Sequence, residues 1–209
     1  MARRTSATML NERRLNREAQ ARGQSPSIDP AQLRFRDALE DDLPACLALD
    51  ASYQSDYVWQ MTVHDAGDDI QVNCRRQRLP RQLEARHPVD ERQLRLALWR
   101  DNCFVVVEDA QSKQLLGYIT MRLDRHGRVA YLQDLVVDLT HRRRSLGARL
   151  VHVARLWASD YHLQQIIFEV PTINYPAIRF AQAQGFAFCG FNDHHFANRE
   201  IALFFSLSV

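Results

Sequence analysis

Leu135-Val-Val-Asp-Leu-Thr-His-Arg-Arg-Arg-Ser-Leu-Gly147 decides the fold. An apolar run of strand character ends at Val137, a basic turn follows, and small residues open a helix that continues to Ala158. The first N–H groups of a helix have no intrahelical partners, and the helix dipole favours negative charge beside them. Successive N–H groups of a tight turn converge on an anion in the same way. Arg142, Arg143 and Arg144 add fixed positive charge to the turn. The stretch therefore reads as a cradle for a diphosphate.

The segments on either side give the architecture. Leu146, Leu150, Ala154, Trp157 and Tyr161 recur at helical spacing and form one apolar face. Upstream, 103–108, 115–123 and 129–137 read as three strands, with a hairpin turn at 125–128. Downstream, Gln165–Val170 is a near-continuous apolar run, which predicts a strand buried on both faces. Asn174–Gln184 predicts a helix stopped by Gly185, and 186–191 and 200–207 predict two closing strands. Nearer the start, 32–38 alternates as a strand and 41–50 reads as a helix. Residues 53–64 form a short aromatic-rich strand or loop, with Ile70–Cys74 as a pairing partner. Pro88 is expected in the first turn of a helix through Leu98. Strands and helices in this order make an α+β fold of the α/β sandwich type.

The 209 residues suffice for one domain with a substantial core. No stretch approaches the roughly 20 apolar residues that cross a bilayer, so no membrane association is expected. Residues 1–30 carry six arginines against Glu12, Glu18 and Asp29, a net charge of +3, and read as a flexible basic N-terminal arm before a folded domain at 31–209. The folded part is then close to neutral, which argues against nucleic acid as a partner. Cys46, Cys74, Cys103 and Cys189 show neither a CxxC pair nor zinc-ligand spacing. Free thiols in a reducing cytoplasm, and no metal, are the expectation.

Two segments together carry a family resemblance. Arg142-Arg-Arg-Ser-Leu-Gly147 matches the R/Q-x-x-G-x-G/A signature of the Gcn5-related N-acetyltransferases (GNAT superfamily), with Ser145 in place of the first glycine. Asn174-Tyr-Pro-Ala-Ile-Arg-Phe-Ala-Gln-Ala-Gln-Gly-Phe186 matches their N-x-x-A-x-x-F-Y-x-x-x-G-F segment, with Ala181 in place of the tyrosine. The resemblance implies a mixed, centrally splayed sheet of about six to seven strands flanked by about four helices. It implies acetyl-CoA as co-substrate, with pantetheine along Leu135, Val136 and Val137. The diphosphate would lie on Arg142, Arg143, Arg144, Ser145, Leu146, Gly147 and Ala148, and Asn174, Ala177 and Phe180 would face the cofactor. Asn174 also reads as a helix cap, and Ser145 as a small capping residue.

Transfer of an acetyl group to an ammonium requires loss of a proton before attack. Glu169, in an apolar strand, resembles the general base of ribosomal-protein N-terminal acetyltransferases; it also reads as an exposed strand-end carboxylate or as one paired with an arginine. Asp134 is the second candidate, because the resemblance implies a bulge in its strand, which can aim a side chain into the cleft. The family's usual general acid falls at Ala181. Tyr175, a histidine or water could replace it, or the thiolate could leave unaided. Tyr57, Trp59 and Gln60, with Tyr53 and Asp56, form an aromatic and acidic group suited to a cationic acceptor. The tail from Gly190 to Phe205 is similar to streptothricin-type antibiotic acetyltransferases. The expectation is N-acetylation of a small-molecule primary amine by direct transfer in a ternary complex. A protein N-terminal or lysine acetyltransferase and a non-catalytic acyl-CoA sensor are the alternatives, and the resemblance leaves a homodimer open.

Overall fold

The computed structural model describes residues 32–99, 101–124, 126–196 and 198–209. The expected basic arm at 1–30 lies outside them. Seven strands form one sheet: β1 (Leu33–Asp37), β4 (Cys103–Asp109), β5 (Leu115–Asp124), β6 (Val129–Val137), β7 (Gln165–Pro171), β9 (Ala202–Ser208) and β8 (Ala187–Asn192), in that spatial order. Among the described residues four α-helices accompany them: α1 (Leu43–Ala48), α2 (Glu91–Ala97), α3 (Leu146–Asp160) and α4 (Tyr175–Ala183). The mixed α+β architecture agrees with the sequence expectation.

Apolar side chains collect in two clusters. Val105, Ile119, Met121, Ala130 and Leu132 pack with Leu150 and Ala154 of α3 and with Ile178 and Ala181 of α4. Val106, Tyr118 and Val136 pack instead with Leu43 and Cys46 of α1 and with Leu94 of α2. Adjacent residues of one strand point to opposite faces, so the sheet is covered on both sides.

Pairing between β6 and β7 controls the site. These two strands are parallel and bonded only from Val129↔Gln165 to Leu132↔Phe168. Beyond Leu132 they diverge, β6 following β5 while β7 follows β9. The sheet is therefore splayed at its centre, and the backbone edge of β6 past Leu132 faces a gap rather than a strand.

The structure departs from the sequence reading in four places. Residues 53–64 and 70–74 belong to one long antiparallel hairpin, β2 (Ser52–Asp65) and β3 (Ile70–Arg86), forming a separate two-stranded sheet. Its strands are mostly exposed, so alternation carries no core signal along much of their length. Pro88 precedes α2 instead of entering it: Asp90 is the cap, its carboxylate accepting from the Arg92 N–H. β7 is not buried on both faces, since Ile166, Phe168 and Val170 are buried while Ile167 and Glu169 are half-exposed. Ser145 sits at the α3 N-cap position but makes no side-chain cap.

Candidate active site

The turn after β6 is shaped by Asp138. Its carboxylate accepts from the Thr140 N–H at 3.0 Å and pairs with His141 Nδ1 at 2.9 Å. Burial opposes its charge, but the Thr140 and His141 hydrogen bonds outweigh burial and hold it below its ordinary range. Arg143 and Ser145 both adopt left-handed backbone (φ 63° each), which side-chain-bearing residues enter at a cost. Alternating hands along a turn bring successive N–H groups to one side, making an anion nest. α3 follows immediately, and its first backbone bond runs from the Arg149 N–H to the Ser145 carbonyl at 3.0 Å. The N–H groups of Leu146, Gly147 and Ala148 are therefore without intrahelical partners. Gly147 has a packing role. A Cβ there would lie 3.2 Å from the Phe180 ring, so its absence lets α3 approach α4.

The three arginines of the turn separate in role. Arg142 donates from Nε to the Val137 carbonyl at 2.9 Å and from its other two nitrogens to the carbonyls of Ser52 and Asp50. Its guanidinium ties the end of β6 to the start of β2 and is spent on backbone oxygens. Arg143 is exposed and Arg144 half-buried, and neither guanidinium has a hydrogen-bond partner among the described residues. Of the three, Arg143 and Arg144 are therefore the ones whose guanidinium groups are not spent on backbone oxygens.

Leu135 and Val137 on β6 are half-buried along the splay, and Val136 points into the cluster under α1 and α2. Across the gap, Asn174 caps α4, its Oδ1 accepting from the Ala177 N–H at 3.1 Å. The capping reading of Asn174 is thus realised. Ala177 and Phe180 are half-buried against the main core. Ala181 is completely buried in that core, and a tyrosine there would overpack it. Tyr175 lies elsewhere, its hydroxyl accepting from Arg76 at 3.1 Å and its ring 5.0 Å from Tyr57.

Both candidate carboxylates lie where the splay begins. The β5–β6 register slips between Thr120↔Asp134 and Met121↔Leu132, leaving Gln133 as an extra residue. This bulge, a feature the family resemblance implies, turns Asp134 away from the face that buries Leu132. Asp134 is 6% exposed, and both its oxygens are engaged: Oδ1 with His87 Nε2 at 2.7 Å, Oδ2 accepting from Thr120 Oγ1 at 2.9 Å. Asp134 is thus held between His87 and Thr120. Glu169 pairs with a histidine rather than an arginine, Oε2 lying 2.9 Å from His195 Nε2. The sequence reading did not find His87. It follows an alternating basic run and precedes a proline, and its carboxylate partner is 47 positions away.

The hairpin forms one wall. The Trp59 N–H bonds the Thr172 carbonyl at 3.0 Å, docking β2 beside the segment that follows β7. Trp59 packs against the main core. Tyr57 carries the Arg76 guanidinium 4.8 Å from its ring centroid, so that ring already holds a cation. Gln60 is exposed. None of these three lines the cavity beside His87. That cavity has room for about 110 Å³ and is bounded by Tyr53, Arg86 and His87, by Asn174, and by Asn198 and Glu200 ahead of β9. Burial pushes the Tyr53 hydroxyl up to about 12, and Glu200 adds to the shift. The phenol therefore stays protonated, a donor facing a carboxylate. Among the described residues no group of three or more His, Cys, Asp or Glu is placed to hold a metal.

Comparisons with known proteins agree with this fold. The family model described as acetyltransferase (GNAT) family matches residues 71–186. Nourseothricin acetyltransferase superimposes with a TM-score of 0.72 at 25% identity, over 85% of this chain and 98% of that one. A putative streptothricin acetyltransferase from Bacillus anthracis str. Ames, solved in complex with acetyl coenzyme A, gives 0.69 at 19% identity over 85% and 98%. The ribosomal-protein-S18-alanine N-acetyltransferase of Escherichia coli gives 0.59 at 15% identity over 85% and 94%. Comparison with curated proteins finds no match.

Proposed function

The chain belongs to the acetyltransferase (GNAT) family, and from that membership we propose that it passes an acetyl group from acetyl-CoA to a primary amine of a small molecule. The observations that carry this reading are the gap between β6 and β7, the left-handed turn after β6, and a cavity that His87 and Asn174 both line. The diphosphate rests on the N–H groups of Arg143 to Ala148, assisted by the side chains of Arg143 and Arg144. The pantetheine amides bond the free edge of β6 at Leu135–Val137, as an added strand would. Phe180, Ala177 and Asn174 form the facing wall. The acyl carbonyl meets backbone donors near Val136, which stabilise the oxyanion of the tetrahedral intermediate.

The acceptor enters from the cavity side. Glu200 supplies negative charge for an ammonium, while Asn198 and Tyr53 supply hydrogen-bonding groups. Tyr57 and Trp59 support this wall from behind, and Gln60 lies further out along it. Holding amine and thioester together supplies much of the acceleration, since a bimolecular encounter becomes a step within one complex. Direct transfer needs no covalent enzyme intermediate. The cavity is small and bordered by Asn198 and Glu200 ahead of β9, which suits a compact amine. Structural likeness to enzymes named for nourseothricin and streptothricin supports the same acceptor class. The four cysteines are free, which suits a reducing cytoplasm.

The test is release of CoA thiol from acetyl-CoA with a panel of small primary amines and, separately, short peptides. Turnover with at least one small amine and none with peptides is expected. Turnover with peptides alone would assign the acceptor to protein termini. Tight CoA binding with no thiol release across both panels would replace the enzyme reading with an acyl-CoA sensor.

A further inference from the structure

We propose that His87 is the general base of this reaction, with Asp134 and Thr120 as positioning residues behind it; this rests on the acetyl-transfer reading above. Two carboxylate–histidine pairs stand at the splay, His87–Asp134 and His195–Glu169. Only His87 borders the cavity between the hairpin base and the segment before β9. Its position is set from three sides. The His87 N–H bonds the Ala51 carbonyl at 3.0 Å, Pro88 follows it, and Nε2 faces Asp134 Oδ1 at 2.7 Å. Asp134 is held in turn, since Thr120 Oγ1 donates to its Oδ2 at 2.9 Å and accepts from its backbone N–H at 3.1 Å. Thr120 is completely buried, so this chain of bonds is rigid at its inner end.

The tautomer follows from the partners. Carboxylate oxygens only accept, and Asp134 Oδ2 already takes the threonine proton. Oδ1 therefore requires a donor, and Nε2 must carry the hydrogen. Nδ1 is left with a lone pair, and it has no hydrogen-bond partner among the described residues. The His87 side chain remains about one-third exposed and borders the cavity. A buried carboxylate that fixes the tautomer and balances the imidazolium is a recurrent way to make histidine a base.

The step balances as follows. Nδ1 takes a proton from the acceptor ammonium, and the freed amine lone pair bonds the thioester carbonyl carbon. The C–S bond then breaks, and the sulfur leaves with its electron pair as the CoA thiolate. The nitrogen, positively charged after the attack, gives up its second proton to the thiolate through water, which leaves the neutral amide and the CoA thiol, and His87 returns its own proton to solvent. No redox partner or metal takes part. The charged and titratable groups around the relay are Arg86, Tyr53 and Glu200 at the cavity, and Tyr118 and Cys46 beside Asp134.

The experiment compares the wild-type chain with His87→Ala, Asp134→Asn and Thr120→Val. It measures CoA affinity, thermal stability and kcat/KM for the best amine from pH 6 to 9, with and without free imidazole. His87→Ala is expected to lose about 10²–10⁴-fold in kcat/KM with CoA affinity unchanged, and imidazole restores part of the rate. Asp134→Asn, which permits the wrong tautomer, lowers the rate and removes the acidic limb of the wild-type pH profile. Thr120→Val shifts that limb by a smaller amount. A His87→Ala enzyme that binds CoA and turns over within 3-fold of wild type overturns the relay alone. A stable His87→Ala enzyme that is slow but unmoved by imidazole, while Asp134→Asn keeps the wild-type pH profile, also overturns it. A wild-type chain that releases no thiol with any amine overturns the acetyl-transfer reading, and the relay with it.

Discussion

Arg142→Ala separates a structural clamp from a phosphate ligand. The Arg142 guanidinium donates to three carbonyls, those of Val137, Ser52 and Asp50. A hydrogen bond from a charged donor contributes roughly 1.5–3 kcal/mol when well shielded. Arg142 is only half-buried, and water can reach carbonyls left behind, so the three together come to about 3 kcal/mol. A protein of this length loses about 2–4 °C of Tm per kcal/mol, which gives a drop of about 6–12 °C. Urea denaturation and thermal melting read the stability, and a CoA titration reads donor binding. Arg142→Lys recovers little, because an ammonium cannot span three carbonyls in one plane. Because Arg142 joins the donor turn to the start of the acceptor hairpin, the alanine variant also raises KM for the amine. Arg143→Ala and Arg144→Ala are expected to behave in the opposite way. They leave Tm nearly unchanged, weaken CoA binding and reduce its dependence on salt. An Arg142→Ala protein with unchanged melting and a large loss of CoA affinity would refute the clamp.

Gly147→Val places a branched side chain against the Phe180 ring, where even a Cβ comes within 3.2 Å. It should cost about 1–3 kcal/mol of stability and weaken CoA binding, and wild-type values for both would show that α3 and α4 need not meet so closely. The Arg36–Asp42 pair, at 2.6 Å and 2.8 Å, sets a pH dependence. The Arg36 hydrogen bond lowers the Asp42 carboxyl below 3.8, so its stabilisation is full above that value and is lost as pH falls through the native one. Melting curves of Asp42→Asn and wild type should differ at pH 5–7 and converge toward pH 3; a gap that widens on acidification contradicts the pairing. Burial pushes the Cys46 and Cys103 thiols up to about 12, whereas Cys189 is exposed. Alkylation of the native chain at pH 8, followed by peptide mapping, should therefore label Cys189 well before either, and equal labelling of Cys103 would show that β4 opens freely.

What the sequence made legible follows from where its residues are constrained. The run from Val129 to Asp160 lies in the middle of the sheet, so apolar periodicity and turn chemistry agree there, and β6 and α3 fall where the pattern put them. The bulge at Gln133 was legible through the family resemblance, and it explains how a carboxylate sits at an otherwise buried strand position. The hairpin was underestimated because Val63, Ile70 and Val72 are solvent-exposed; alternation there answers to strand pairing, not to a core. Arg142 looked like a phosphate ligand because its neighbours in sequence are basic, while its three carbonyl partners are set by the tertiary fold. His87 was invisible for the same reason. Its importance comes from Asp134 and from the cavity wall, and neither is adjacent in the chain. The exchange of Tyr for Ala at position 181 was plain from the sequence. That this position is sealed in the core became plain only in three dimensions.

The central claim is that the donor fills the gap between β6 and β7 and delivers its acetyl group to the cavity at His87. A crystal structure of the full chain with CoA and an amine substrate measures this directly. The account predicts the diphosphate on the N–H groups of 143–148, pantetheine along Leu135–Val137, and the sulfur opening toward the amine, whose nitrogen lies within hydrogen-bonding distance of His87 Nδ1. A complex in which the sulfur points away from that cavity, or in which the amine lies on the far side of the hairpin beside Gln60, would contradict it.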